Sequence, residues 1–160
     1  MDIQQIDPNA FRNALGQFAT GVAVVTTLTD EAERVGMTAN SFNSVSLNPP
    51  LVLWSIGKNS TNYEEFTKTE FFAIHILAAG QDAISNQFAQ KDTDRFANLE
   101  CRAGVHKVPI LPEFAACFQC SIEHRYEGGD HTILVGRVVD FESRGHAPLL
   151  FHSGSYAKLA

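Results

Sequence analysis

The chain has 160 residues, 44% of them hydrophobic and 19% charged, which predicts a single domain over residues 1–160 with a substantial buried core. Its formal net charge is −6 and it has no Lys/Arg cluster, so nucleic acid and anionic membrane are poor partners. No apolar run is long enough to cross a bilayer, the opening MDIQQIDPNA is too polar for a signal peptide, and three cysteines make no disulfide framework, so a cytoplasmic location is expected.

Asp7-Pro8 predicts the start of a helix, with Asp as N-cap and Pro at the first helical position. Phe11, Ala14, Leu15 and Phe18 form its apolar stripe, and Gly21 is expected to end it. Val22–Thr29 is largely β-branched and predicts a strand that returns through the charged turn Thr29–Arg34 into a second strand at Val35–Phe42. A polar loop and Pro49-Pro50 precede Leu51–Ile56, a short continuous apolar run expected of a strand buried on both faces. Thr61-Asn-Tyr-Glu64 matches a capping box and predicts a helix from residue 61 or 62. A strand at Phe71–Leu77 follows, then a helix at Gln81–Ala89 with Ile84 and Phe88 on one face, then a polar, irregular stretch at Lys91–Val108. Ala115–Tyr126, a Gly-Gly pair and His131–Glu142 form a long hairpin, and Leu149–Phe151 a last short strand. Strands outnumber helices and come as hairpins. No G-x-G-x-x-G follows a strand, so a small antiparallel barrel with peripheral helices fits and a Rossmann domain does not.

Three places carry possible chemistry. Val35–Ile56 begins with Thr38, Asn40, Ser41, Asn43, Ser44 and Ser46 and has almost no charge, which suits a wall of neutral donors and acceptors facing a flat polar heterocycle; an ordinary Ser/Asn-rich turn gives the same composition. Lys58 and the Ser60-Thr61 pair before a helix suggest a phosphate seat, or else a solvated turn. His131, after Gly128-Gly129, stands at a hairpin mouth from which it can reach a cleft. Cys117 and Cys120 match C-x-x-C, but a spacing of three along a strand sends the two sulfurs to opposite faces, so both read as buried packing residues. His75, in an apolar strand, reads as structural. The histidines show no metal-ligand spacing and there is no G-x-S-x-G elbow, which points to a site that binds and orients while a cofactor supplies the reactivity.

Five segments in order, LGQFATGVAVVTT, GMTANSFNSVSLNPPLVLWSI, the FA…DRF stretch at 88–96, GDHTILVGRV and PLLFHSGSY, resemble the short-chain flavin reductases, which are the NAD(P)H:flavin oxidoreductase components of two-component monooxygenases. The resemblance runs from about Phe11 to Tyr156. It implies a mainly β, antiparallel FMN-binding split β-barrel with peripheral helices, a homodimer with sites near the subunit interface, and a separate flavin-dependent monooxygenase that receives the reduced flavin. Carried over by position, Gly36, Met37, Thr38, Asn40 and Ser41 resemble the strand and loop beside the flavin. Ser55, Ile56, Gly57, Lys58, Asn59, Ser60, Thr61 and Asn62 resemble the segment around the ribityl chain and phosphate, with Lys58, Ser60 and Thr61 nearest the phosphate. Phe88, Ala89 and Asp94 resemble the cover over the flavin, His131 the histidine near the nicotinamide, and Phe151, His152, Ser153 and Gly154 the nicotinamide nucleotide pocket. The implied reaction is hydride transfer from NADH or NADPH to FMN, with FAD possible and no metal. A split-barrel protein that holds a prosthetic flavin, or reduces another acceptor, is the alternative.

Overall fold

In the computed structural model, residues 5–160 are described; the opening MDIQ of the polar N-terminal stretch lies outside them. In chain order the elements are α1 (Pro8–Leu15), β1 (Thr20–Gly21), β2 (Ala23–Leu28), β3 (Arg34–Ala39), β4 (Asn43–Leu47), β5 (Pro50–Gly57), α2 (Tyr63–Lys68), β6 (Phe71–Ile76), α3 (Asp82–Ala89), β7 (Arg102–Ala103), β8 (Pro109–Ile110), β9 (Ala116–Gly128), β10 (His131–Ser143), β11 (Leu150–His152) and β12 (Ser155–Ala157). Seven strands form one antiparallel sheet in the order β3-β2-β6-β9-β10-β5-β4; β1, β11 and β12 form a second sheet, and β7 pairs with β8. No helix among the described residues is long and apolar enough to cross a membrane.

The large sheet curls around its apolar face. Val25, Trp54, Ile56, Phe72, Ile74 and Leu134, from four strands, meet Phe66 of α2 in one buried cluster, with Val35 and Met37 of β3 packed against it. Just past β3, Ser41 Oγ accepts from the Ser55 N–H at 2.9 Å, which ties this edge of the sheet to β5 near the other edge. β3 and β4 do not pair, so the curl stays open. A second cluster, built on Val22, Val24, Leu77, Phe88, Phe96 and Leu149, seats α3 and the following loop against the back of β2.

The hairpins appear as expected, with β9 and β10 each thirteen residues long. Other expectations need correction. Asp7 caps α1 by accepting from the Asn9 N–H, but Gly16, not Gly21, ends the helix, and Gly21 pairs with Leu150 in β1. The apolar stripe finds no cover within the described residues: Phe11 and Leu15 are exposed, and Phe18, beyond the helix, is 78% exposed. β5 is buried on one face only, through Val52, Trp54 and Ile56, because no second layer covers Leu51 and Leu53. The stretch read as a polar loop contains β4, an exposed edge strand that folds back on β5. The capping box is not formed. Asn62 is the N-cap without a side-chain bond, and Glu64 pairs with Lys68 one turn on, so its carboxylate is drawn forward along the helix.

Cys117 and Cys120 are both buried and belong to different clusters, consistent with sulfurs on opposite faces of β9. Burial pushes each thiol up to about 12. The thiolate is the nucleophile, so native protein at pH 8 should resist alkylation by iodoacetamide at both positions. Mass spectrometry should find them modified only after unfolding; rapid native labelling of either would contradict this packing. His75 is structural, as expected: its ring is fully buried between β2 and the start of the 111–114 segment.

Candidate functional site

β3 is the edge strand that builds the site. The Gly36 carbonyl points away from β2, where it accepts from Arg95 Nη1 at 2.8 Å and Asn62 Nδ2 at 3.4 Å. Strand backbone repeats every two residues, so the Thr38 N–H and C=O point the same way, with no β-strand partner on that side. α3 is held alongside by Thr38 Oγ1, which donates to the Ser85 carbonyl at 2.6 Å. Close approach here depends on glycine: a Cβ at Gly36 would lie 2.6 Å from Phe88 Cε1.

Three recesses run along this edge. The first, about 250 Å³, is lined by Val22, Thr38, Ala39, Asn40, Ser85, Ala89, Phe151 and Tyr156. It is chiefly apolar, and the Tyr156 hydroxyl lies 2.8 Å from both Ser85 Oγ and Asn86 Oδ1. The second, also about 250 Å³, shares Thr38 and Ala89 with the first and adds Met37, Asn59, Ser60, Thr61, Phe88, Lys91 and Arg95. The third, about 200 Å³, shares Thr61 and Arg95 with the second and adds Arg34, Asn62, Asp92, Asp94 and Phe96 among others. The shared residues set the order: apolar recess, cationic recess, outer recess.

The middle recess is cationic without compensation. Lys91 and Arg95 form no ion pair among the described residues, and no carboxylate lines it. Arg95 also donates through Nε to the Gln90 carbonyl at 2.7 Å, so it staples the 90–95 loop to β3. Partial burial holds its guanidinium below the ordinary arginine range. Asn59, Ser60 and Thr61 line the same recess as these two cations, a set of donors suited to a phosphate.

Of the expected site residues, Met37, Thr38, Asn40, Asn59, Ser60, Thr61, Phe88, Ala89 and Phe151 line the first two recesses, and Gly36, Asn62 and Asp94 line the third. The Ser41 hydroxyl donates to the Ser55 carbonyl at 3.1 Å and accepts from the Ser55 N–H at 2.9 Å, so the two residues tie the loop after β3 to β5 and line none of the three recesses. Ile56 is buried in the core. Lys58, expected nearest the phosphate, instead turns outward to pair with Glu127 of β9. His152, Ser153 and Gly154 form the β11–β12 turn, where Ser153 bonds to Gly16 and Gln17 rather than to a recess. His131 opens β10 opposite Gly57 and close to Asn59, with Nδ1 2.7 Å from Asp130 Oδ1. This contact holds Asp130 below the ordinary carboxylate range.

Sequence reasoning passed over Ser85, Lys91, Arg95 and Tyr156. Arg95 lies in the DRF triplet and Tyr156 ends the last matching segment, but neither carries a local spacing signal. A larger cleft of about 470 Å³ lies elsewhere, lined by Asp30, Glu31, Glu33, Glu64, Glu65 and Glu70 with Lys68. Among the described residues no group of His, Cys, Asp or Glu is arranged to hold a metal ion.

The flavin reductase like domain matches residues 15–160. The chain is 44% identical over 151 residues to the NADH-dependent FMN reductase SmoA of Agrobacterium fabrum, covering 94% of this chain and 86% of that protein. It is 46% identical over 145 residues to the reductase component of the flavin-dependent trigonelline monooxygenase of Acinetobacter baylyi, covering 91% of this chain and 47% of that protein. The chain therefore spans about half the length of some of its curated relatives, including 50% of one from Rhizobium meliloti. Among solved structures, the Streptomyces globisporus C-1027 NADH:FAD oxidoreductase in complex with NAD and FAD fragments superposes with a TM-score of 0.90 at 37% identity, covering 99% of this chain and 98% of that one. With nearly the whole chain matched and the edge-strand site in place, the chain belongs to the flavin reductase-like family.

Proposed function

We propose that the chain is an NAD(P)H-dependent flavin reductase, acting as one domain over residues 1–160, which passes reduced flavin to a separate monooxygenase component. The observation that carries the reading is the continuity of an apolar recess beside an unpaired strand edge with a cationic recess that lacks a counter-charge. A flavin has that polarity: a flat apolar ring with an amide-like edge, a polyol and a phosphate. The residues fit. The Thr38 backbone offers a donor and an acceptor to a ring edge, Ala89 and Phe88 close from α3, and Ser60, Thr61, Lys91 and Arg95 receive the phosphate. A bound flavin accepts hydride from a reduced nicotinamide. The chain's own part is to hold the two rings in contact, exclude water with Ala89, Phe151 and Tyr156, and stabilise negative charge through backbone N–H groups.

His131 is assigned to the nicotinamide side. The Asp130 contact orients its ring and leaves Nε2 facing the Gly57–Asn59 segment. His131→Ala should raise the KM for NADH or slow hydride transfer, read by stopped-flow. The curled open sheet supports a split β-barrel. Leu47, 96% exposed, and Phe141, 67% exposed, support a homodimer that covers them. Three free cysteines, Cys117 and Cys120 buried and Cys101 half-buried, suit a cytoplasmic location.

The test is oxidation of NADH and NADPH at 340 nm with and without FMN or FAD. Turnover that rises with added flavin and saturates is expected. Absence of oxidation by protein that still binds flavin would favour a prosthetic-flavin protein instead. Arg95→Ala should raise the FMN Kd at least about tenfold, the size of one lost charge-assisted contact. Lys58→Ala should change it by less than about twofold, since Lys58 turns outward into a solvent-screened ion pair with Glu127 and does not line the recess. Equal effects of the two substitutions would move the phosphate away from Arg95.

A further inference from the structure

The third recess has no use if the ligand ends at one phosphate. Resting on the flavin reading above, we infer that the recess lined by Arg34, Asn62, Asp92 and Asp94 seats the adenosine half of FAD, so that this chain takes FAD in preference to FMN. Position comes first: the recess meets the cationic one through Thr61 and Arg95, on the side opposite the apolar recess. A ligand that leaves the phosphate seat away from its ring enters it directly.

Charge follows the same order. The middle recess holds Lys91 and Arg95 against no carboxylate, which suits a diphosphate. The outer recess adds one cation, Arg34, and two carboxylates, Asp92 and Asp94, to the Arg95 it shares with the middle recess, a lining that suits a ribose and base better than another phosphate. Its chemistry also matches. The Arg34 guanidinium lies 4.9 Å over the buried Phe96 ring, and Arg34 is otherwise exposed, so a planar cation is held flat with a face open to a purine. Asp94 spends Oδ1 on the Phe96 N–H at 3.1 Å and keeps a second oxygen. Asp92 is exposed and has no bonded partner among the described residues, so both carboxylates can accept from ribose hydroxyls.

The experiment titrates the full chain with FMN and with FAD by flavin fluorescence and calorimetry, for the unaltered protein, Arg34→Met and Asp92→Asn. Methionine keeps cover over Phe96 and removes the planar cation; asparagine suits the left-handed backbone at Asp92, φ 55°. The expected result is FAD bound at least about tenfold tighter than FMN, with each substitution weakening FAD about fivefold or more and FMN less than about twofold. Equal affinities for the two flavins, or an FAD preference that neither substitution moves, would overturn the inference and leave the reductase reading standing. Failure to bind either flavin would overturn the reductase reading and this inference with it.

Discussion

Gly36→Ala is expected to lose flavin binding and destabilise the fold together. The new Cβ would meet Phe88 Cε1 at 2.6 Å, Phe88 Cδ1 at 2.9 Å and Phe96 Cζ at 3.1 Å. Neither ring has room to retreat. Phe88 is fully buried in the cluster with Val22, Leu77 and Leu149, and it packs edge-on against Phe96 with centroids 5.0 Å apart. β3 or α3 must move instead, and both carry the site: the Gly36 carbonyl holds Arg95 and Asn62, and Thr38 holds Ser85. Overpacking of this kind costs about 1–3 kcal/mol. The same displacement should weaken FMN at least about tenfold. Urea unfolding and a flavin titration on one preparation check both effects. A variant with unchanged midpoint and affinity would mean that α3 does not press on β3 as described.

Acid should unfold the protein through His75. Its Nδ1–H donates to the Val24 carbonyl at 3.0 Å, and its Nε2 accepts from the Leu111 N–H at 3.1 Å. The buried ring therefore bridges β2, β6 and the loop before β9 in its neutral form. Burial pushes its pKa down to about 4, with Arg102 and Arg144 adding to the fall and the Val24 bond opposing it. In the unfolded chain the ordinary value is about 6.5, so between about 6.5 and 4 the unfolded state binds the extra proton. Stability contributed by neutral His75 is complete above pH 6.5 and is lost as pH falls to about 4, a change of about 3 kcal/mol. Protonation would also set two N–H donors against each other at Leu111. Unfolding free energies at pH 7, 6, 5 and 4 for the unaltered protein and for His75→Gln isolate the contribution. The glutamine variant starts less stable but should show a flatter profile; parallel profiles would assign the acid sensitivity to other groups.

How far the sequence revealed the site depends on how local the deciding interaction is. The β9–β10 hairpin and α3 follow from alternation, glycine turns and helical spacing within about a dozen residues, and both formed where expected. The polar stretch Thr38–Ser46 divides in the fold: Thr38, Ala39 and Asn40 line the apolar recess, Ser41 bonds to Ser55, and Asn43–Leu47 pairs with β5 at the opposite edge of the large sheet. The capping box failed because Glu64 had a better partner in Lys68. The pairing of Lys58 is hidden for a similar reason: its partner Glu127 lies on β9, 69 residues away, and only strand pairing brings them together. Arg95 and Lys91 reach Ser60 only after α3 has packed on β3, so nothing near them in sequence announces a phosphate. Phe11, Ala14 and Leu15 share a face of α1 while Phe18 falls beyond its end, and an apolar stripe does not say whether its cover comes from the same chain.

The unpaired edge of β3 has one more consequence. A strand edge with open N–H and C=O groups is a template for pairing with any other extended chain. Under the function proposed above, the groove that would receive the flavin is that same edge, and the ligand would act as a removable end-stop to the sheet. Flavin supply and solubility would then be coupled: chain made faster than the groove is filled would leave the Thr38 edge of β3 open to edge-to-edge assembly, and a preparation stripped of flavin should keep less well than a saturated one.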